Sequence, residues 1–211
     1  LILGSALAAG CATESHRKMD VEQTEAAKSS SNYNGPKSPL VVGKFANRSG
    51  YMQGAFTEGP DRLSSQAKTV LIGHLQRTKR FSVMDRDNME ETATEAKISG
   101  KTQKLKGAAF TVTGDIVEFG RKEVGDKQLY GIVGSGKQQV AYSKVTLNVV
   151  DVTTSEVVFS ASGAGEYALS SREVLGFGGR AGYDSTLNGK VLDLAMREAV
   201  DRLVEGLQAG E

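Results

Sequence analysis

Residues 119–186 alternate between apolar and polar side chains and show no helical period, which restricts this part of the chain to extended strands. The pattern is clearest over 157–169, where one set of alternate residues is apolar or glycine. That set is Phe159, Ala161, Gly163, Gly165, Tyr167 and Leu169. Leu175 to Tyr183 alternates in the same way, so 157–186 predicts a hairpin whose two strands share an apolar face.

Residues 119–150 predict another hairpin, with its turn at Gly134-Ser135-Gly136 and an alternating second strand. The stretch 121–127 departs from the pattern because it carries charge on both faces. Each hairpin has room for two strands of about ten residues, the length of a tilted strand that crosses a bilayer. Four strands cannot close a membrane barrel, so insertion would require several copies to pool their hairpins. An ordinary antiparallel sheet with one solvent-exposed face has the same period of two. The period alone therefore leaves both the membrane barrel and the soluble sheet open.

Cys11 is the one cysteine of the chain, and it follows the run Leu7-Ala-Ala-Gly10. This run matches the lipobox at which a bacterial lipoprotein is cut and acylated. We therefore expect residues 1–10 to be the remnant of a signal peptide and Cys11 to carry a covalent lipid. Ala12 in place of aspartate favours the outer membrane of a Gram-negative bacterium, with the protein anchored from the periplasmic side. A buried or free thiol is the alternative.

The polar stretch 11–38 has little apolar content and is predicted to be a tether that follows the lipidated residue. Over the whole chain, 26 basic and 25 acidic side chains give a net charge of +1, so nucleic acid is not expected as a partner. No apolar run reaches the roughly 18 to 20 residues of a transmembrane helix. His16 and His74 have no cluster of cysteines or carboxylates at ligand spacing beside them, so no metal or other cofactor is expected apart from the covalent lipid.

Residues 39–118 and 187–211 predict a small α/β domain in which helices cover a sheet. Short apolar runs predict strands at Leu40 to Phe45 and Phe81 to Met84, and 108–119 is β-rich. Helical periodicity predicts three helices. They cover Asp61 to Lys79, a segment from a cap at Asp85 or Asp87 to about Lys97, and the stretch after a cap at Asn188. The fold class is therefore α+β: a periplasmic α/β domain with two long β-hairpins, 119–150 and 157–186, that contribute to an oligomeric transmembrane β-barrel.

Each predicted helix has an apolar side that should face the sheet. The inward residues are Leu63, Ala67, Val70, Leu71 and Leu75 in the first helix, Met89, Ala93 and Ala96 in the second, and Leu192, Ala195, Ala199, Leu203 and Leu207 in the third.

Three short motifs suggest enzymes but fit structural roles better. Gly131 to Gln138 nearly matches a phosphate-binding loop, yet it lacks the final Ser or Thr and precedes an alternating strand. Gly176 to Ala181 imitates a dinucleotide-binding motif without the helix that should follow. Asp85 and Asp87 could be paired acid/base carboxylates, but capping a helix after a strand explains them better. We therefore predict no catalytic residue and no enzymatic activity.

Four segments, in their order and spacing, resemble the family of the curli-secretion lipoprotein CsgG and its holdfast-anchoring relative HfaB. They are Pro39 to Asn47, Phe81 to Met89, Val112 to Ile116 and Val149 to Val157. In addition, Gly182 to Ser185 resembles the end of the family's second membrane hairpin. The resemblance implies an outer-membrane secretion channel, formed by a homo-oligomeric ring that passes a surface protein with the help of accessory lipoproteins. About nine copies would supply the ~36 strands of the largest known barrels.

In channels of this family the loop after the first strand lines a narrow constriction, and the matching segment here is Ser49 to Pro60. The resemblance therefore makes Tyr51, Gln53 and Phe56 candidates for a pore constriction. The loop departs from the curli pattern in its length and in the order of its aromatic and amide residues. Packing beneath the loop is the alternative role for Tyr51 and Phe56.

Two other functions are compatible with the sequence. A ring of the same kind would anchor a surface adhesin, as the likeness to HfaB implies, instead of exporting curli-type fibres. A periplasm-facing lipoprotein that binds and activates a cell-wall synthase would keep Cys11, the tether and the helices, but it would need no hairpins of membrane-crossing length. The long alternating stretch 119–186 favours the channel.

Overall fold

The computed structural model describes residues 33–51, 62–127, 135–172 and 186–209, and they form one five-stranded sheet with three helices. In chain order the elements are β1 (Ser38–Asn47), α1 (Arg62–Arg77), β2 (Phe81–Met84), α2 (Met89–Ile98), β3 (Phe110–Lys127), β4 (Ser135–Asp151), β5 (Val157–Arg172) and α3 (Thr186–Ala209). The fold is mixed α+β, as the sequence predicts. In the parts of the chain just given, the helices are too short or too polar to cross a membrane.

The strands lie in the order β2-β1-β3-β4-β5. β1 is parallel to β2 and β3, whereas β4 is antiparallel to both β3 and β5. β4 belongs to the first predicted hairpin and pairs with β5 of the second, so both segments lie in one continuous sheet. β3 runs through the domain boundary predicted at 118/119. The return strand predicted at 175–183 lies outside the described residues.

The turn between β3 and β4 does not lie at Gly134-Ser135-Gly136, and this prediction is wrong. Ser135 pairs with Lys127 and Gly136 pairs with Asp126, so residues 128–134 connect the two strands. Glycine permits a turn without requiring one, and here Gly136 stays within the ladder. Gln138, which ended the motif like a phosphate loop, is also paired on both sides within β4.

Helices α1 and α3 cover one face of the sheet, and their apolar residues recur every three or four positions because one side of each helix faces the strands. The buried residues of α1 are Leu63, Ala67, Leu71, His74 and Leu75. Those of α3 are Val191, Leu192, Ala195, Met196, Ala199, Val200, Leu203 and Val204. Leu207, predicted on the same side of α3, is 36% exposed. Burial of each large side chain in this shared core contributes about 1.5–3 kcal/mol.

Helix α3 approaches β5 closely because the facing positions of the strand are glycine. A Cβ atom on Gly163 would lie 2.1 Å from the carbonyl oxygen of Ala195 and 2.4 Å from the amide nitrogen of Ala199. A Cβ atom on Gly165 would lie 2.9 Å from the Cβ of Leu194. The glycines on the apolar face of β5 therefore make room for the backbone of a helix.

The opposite face of the sheet, called the open face below, is covered by neither α1 nor α3. Its central side chains are small and polar: Thr111, Thr113, Thr146, Asn148, Ser160 and Ser162. Ser160 donates a hydrogen bond of 2.6 Å to Asn148 Oδ1, and the hydroxyls of Thr146 and Ser162 lie 2.9 Å apart. Over 159–167, the alternation thus reflects one face covered by α3 and one polar face.

Helix α2 packs loosely, since none of its residues is buried. The residues of α2 that were predicted to face the sheet are only partly covered: Met89, Ala93 and Ala96. The N-cap residue is Asn88, so the predicted cap at Asp85 or Asp87 is wrong. Asp85 instead accepts hydrogen bonds from the side-chain amide and the backbone N–H of Asn88, which hold the pKa of this carboxyl below its usual range. The Asp87 carboxylate pairs with Lys68 of α1.

Candidate functional site

Strand β1, which precedes the loop with the predicted constriction residues, and the long strands β3 and β5 all end at the same end of the sheet, called the hairpin end below. β1 ends there at Asn47, the β3–β4 ladder ends at Lys127 opposite Ser135, and β5 ends at Arg172 opposite Gly136. The opposite end, where β1 begins and the tether joins, is the tether end. Residues 52–61, 128–134 and 173–185 therefore each connect elements at the hairpin end.

Tyr51 lies at the hairpin end and is held by contacts within its own domain. Its ring centre is 4.9 Å from that of the buried Phe119, with the planes inclined by 58°. Its hydroxyl accepts a hydrogen bond of 2.9 Å from the side-chain amide of Asn188, and its backbone carbonyl accepts one of 3.0 Å from the amide of Asn47. Tyr51 is thus fixed by both its ring and its hydroxyl, at the point where the loop 52–61 begins.

Asn188 links this tyrosine to the long strands. Its side-chain oxygen accepts a hydrogen bond of 2.9 Å from Arg121 Nε, while its side-chain nitrogen donates to Tyr51. Asn188 is the third residue of α3, so the prediction that it caps this helix is wrong. One amide therefore joins the start of the loop, strand β3 and the first turn of α3, and we call Tyr51, Phe119, Arg121 and Asn188 the junction cluster.

The chain just after β1 is held against β3 as well. The backbone N–H groups of Arg48 and Ser49 both donate to the carbonyl of Ile116, at 2.9 and 3.1 Å. The Ser49 hydroxyl donates a hydrogen bond of 2.6 Å to Asn47 Oδ1, and Ser49 is only 4% exposed. These bonds hold residues 48 and 49 against β3.

The three long strands continue past the helix layer at the hairpin end. Arg121 lies beside the first turn of α3, through its bond to Asn188, and β3 then continues to Lys127. At about 3.3 Å per residue, this extension measures about 20 Å. β4 and β5 accompany it, so in the described part of the chain a three-stranded ribbon extends past the start of α3.

Below this ribbon, side chains of α3 form hydrogen bonds with backbone groups on the free edge of β5. The Glu198 carboxylate accepts a hydrogen bond of 3.0 Å from the backbone N–H of Ala164, and Arg202 donates one of 2.9 Å to the carbonyl of Ser162. Glu198 and Arg202 also pair with each other. An exposed strand edge can pair with another strand. Glu198 and Arg202 prevent this at Ser162 and Ala164 because they already bind the backbone groups there.

Of the other predicted site residues, Cys11, Gln53 and Phe56 lie outside the described residues, and lipidation and pore lining stay predictions. Within the described ranges, no group of three or more His, Cys, Asp and Glu side chains is placed to hold a metal ion. Phe119, Arg121 and Asn188 were not predicted as partners of Tyr51. Asn188 is 137 residues away from Tyr51 in the chain, and no local pattern indicates the pairing.

His74 of α1 and Asp193 of α3 form a polar contact within the helix layer. His74 Nε2 lies 2.9 Å from Asp193 Oδ1, and His74 is 5% exposed. The hydrogen bond from His74 is the main reason that the pKa of Asp193 lies below its usual range, and the charges of Arg77 and Arg197 lower it further. The contact joins the helix over β1 to the helix over β5.

This contact predicts a loss of stability in acid. The pKa of Asp193 is lower in the folded than in the unfolded chain, so its contribution is complete above the unfolded value of about 4 and disappears as the pH falls through the folded value. Urea unfolding at pH 5 and at pH 3 should therefore show a smaller decrease in unfolding free energy for Asp193→Asn than for the parent. Glu205→Gln, an exposed change on the same helix, is the control and should behave as the parent does. Equal acid sensitivity of Asp193→Asn and the parent would contradict the role of this pair.

Comparison with known proteins connects this architecture to a family. The family model described as "Curli production assembly/transport component CsgG" matches residues 20–210. The protein named "Putative lipoprotein NMB1126/NMB1164" of Neisseria meningitidis serogroup B (strain ATCC BAA-335 / MC58) is 58% identical over 201 residues, which cover 95% of this chain and 89% of that protein.

Solved structures of similar architecture are more distant. The PelC dodecamer from Paraburkholderia phytofirmans is 14% identical with a TM-score of 0.36, covering 78% of this chain and 87% of that one. Lipoprotein GNA1162 from Neisseria meningitidis is 13% identical with a TM-score of 0.38, covering 82% and 99% of the two chains. Likeness at this level says nothing about assembly or partners. The family match over nearly the whole chain is decisive, and the protein belongs to the CsgG family.

Proposed function

We propose that this protein is an outer-membrane lipoprotein whose copies assemble into a ring and pass a surface protein through a shared β-barrel. The observation that carries the proposal is the ribbon at the hairpin end, in a chain of the CsgG family. Its extension of about 20 Å past the start of α3 matches in length, though not in the charge that 121–127 carries on both faces, the roughly 25 Å apolar band of an outer-membrane barrel. Covalent lipid on Cys11 would hold each copy at the inner leaflet until enough copies gather, and no other cofactor is needed.

The edge of β5 indicates which part of this strand could pair with a neighbouring copy in such a barrel. Glu198 and Arg202 occupy the edge groups of Ser162 and Ala164, so another strand can pair with β5 only beyond this level. Pairing would then be confined to the ribbon, and the α/β domain would stay outside the barrel. A ring of about nine copies with four strands each would supply ~36 strands.

The junction cluster would set the constriction of the channel. Tyr51 fixes the start of the loop 52–61 against β3 and α3, so Gln53 and Phe56 follow from an anchored point. In this proposal the loops of neighbouring copies meet near the axis, and their amide and aromatic side chains contact an extended passenger transiently. No bond chemistry is required of the protein, and the passenger is a curli-type subunit or an adhesin.

The proposal predicts assembled pores with a conductance set by the loop. Lipidated protein extracted in detergent should appear as rings by electron microscopy and should conduct in planar bilayers. Joint replacement of Gln53 and Phe56 by alanine should raise the single-channel conductance because the side chains at the narrowest point become smaller. Thr69→Ala, an exposed change on α1, is the control and should leave the conductance unchanged. Cys11→Ser should abolish rings while the α/β domain stays folded.

Three results would decide against parts of this proposal. A lipidated monomer without conductance would exclude the channel and favour the periplasm-facing lipoprotein that binds a cell-wall synthase. Rings with unchanged conductance after the loop substitutions would exclude the constriction at Gln53 and Phe56. Rings that hold a surface adhesin without transporting it would favour anchoring over export.

A further inference from the structure

The residues that follow α2 combine positive charge with exposed aliphatic side chains. Between Lys97 and Lys106 there are four lysines and no acidic residue. Ile98 is 73% exposed and Leu105 is 56% exposed, which makes them the two most exposed large hydrophobic residues among those described. All four lysines, Lys97, Lys101, Lys104 and Lys106, are exposed too. We call residues 97–106 the basic strip.

The basic strip has a defined path over the domain surface. Gly100 adopts a φ of 65°, and the N–H of Lys101 donates to the carbonyl of Ala96 at 2.8 Å, so the chain reverses at the end of α2. Gln103 then donates a hydrogen bond of 3.1 Å to the Thr92 hydroxyl. The strip therefore folds back along α2, which carries the exposed glutamates Glu90, Glu91 and Glu95.

The basic strip re-enters the sheet beside the tether. Arg86 donates a hydrogen bond of 2.6 Å to the carbonyl of Lys106, and the N–H of Ala109 donates one of 2.8 Å to the carbonyl of Pro39. Pro39 is the second residue of β1, directly after the predicted tether. The Arg80 guanidinium lies 4.2 Å from the ring centre of Tyr33, so the last residues of the tether are held at this end of the sheet.

We infer that the basic strip binds the surface of a bilayer that contains anionic phospholipid. If Cys11 is lipidated, the 21 residues from 12 to 32 reach about 25 Å as a flexible coil, which keeps the tether end close to the headgroups. Lysines near an anionic surface each strengthen binding about fivefold, and aliphatic side chains add burial at the headgroup boundary. The strip thus gives a single lipidated protomer a second attachment before its hairpins insert, since insertion would place the opposite, hairpin end in the bilayer.

A vesicle-binding experiment on the full chain with Cys11→Ser isolates the strip from the covalent lipid. This protein should bind vesicles of phosphatidylcholine mixed with phosphatidylglycerol, and it should bind vesicles of phosphatidylcholine alone far more weakly. The joint change of Lys97, Lys101, Lys104 and Lys106 to Gln should weaken binding about 100-fold or more. The control variant removes four positive charges elsewhere, by changing Lys44, Lys144, Lys190 and Arg62 to Gln, and should bind as the parent does.

A second variant tests the aliphatic contribution. Ile98→Ser with Leu105→Ser should leave binding more sensitive to added salt, because electrostatic attraction is screened whereas apolar burial is not. Thermal unfolding of each variant should match that of the parent, since these side chains are exposed. Equal binding by the lysine variant and its control would overturn the proposal. Binding to a poly-glutamate peptide without binding to vesicles would also overturn it, in favour of an acidic protein partner.

Discussion

Gly163→Ala is expected to remove about 3 kcal/mol from the free energy of unfolding. The added Cβ would lie 2.1 Å from the carbonyl oxygen of Ala195 and 2.4 Å from the amide nitrogen of Ala199. Both atoms belong to the backbone of α3, so a side-chain rotation cannot relieve the clash. Helix α3 would have to move away from β5 and would loosen the core that it shares with α1. A native domain is stable by only about 5–15 kcal/mol, so the expected loss is a large part of the total.

Urea unfolding followed by circular dichroism measures this effect on the chain with Cys11→Ser. Gly73→Ala in α1 is the matched control because nothing lies within 4 Å of the Cβ that it adds. This control should gain about 0.5–1 kcal/mol, since alanine is the better helix former. If Gly163→Ala proved as stable as the parent, the close approach of α3 to β5 would be wrong.

Asn188→Ala is expected to cost about 2–3 kcal/mol because it breaks both hydrogen bonds of the amide in the junction cluster. The Arg121 guanidinium loses an acceptor, and the Tyr51 hydroxyl loses a donor. Asn188→Asp should stay within about 0.5 kcal/mol of the parent. Its carboxylate can accept from both Arg121 and the Tyr51 hydroxyl, and negative charge is favourable in the first turn of a helix.

The difference between these two substitutions separates a hydrogen-bonding role from mere occupancy of space. The control is Asn148→Ala on the open face, which loses only a solvent-exposed hydrogen bond to Ser160. It should lower the free energy of unfolding by about 0.5–1 kcal/mol. Equal losses for Asn188→Ala and Asn188→Asp would show that the amide does not join the loop to β3 and α3. In assembled rings, Asn188→Ala should also make the single-channel current noisier, because the start of the loop is no longer held.

Much of the fold could be predicted because it depends on local periodicity. The spacing of Leu63, Ala67, Leu71 and Leu75 predicts α1 and its buried side correctly. The short apolar run Phe81 to Met84 coincides with β2 in both its bounds. Over 159–167, the period of two also predicts correctly which residues of β5 share a face. In each case the repeat of the backbone sets the side of the element on which a residue lies.

The errors concern groups whose partners lie elsewhere in the chain. Asn188 has the chemistry of a helix cap, but its amide binds Arg121 and Tyr51, which are 67 and 137 residues away. Gly136 has the chemistry of a turn residue, but it pairs with Asp126 and Arg172 inside the sheet. Residue type limits what a side chain can do, and the packed neighbours select among the possibilities.

By itself, the sequence determined the α+β class, the sides of α1 and α3 that face the sheet, and the two-faced character of strands β4 and β5. These properties follow from side-chain spacing along a regular backbone, which needs no knowledge of distant contacts. Only the tertiary structure decided that the apolar face of β5 is covered by α3 up to Tyr167, and that the long strands extend past this helix at the end where Tyr51 is held. A period of two is the same whether helix or lipid covers the apolar face, so the covering element had to be located in space.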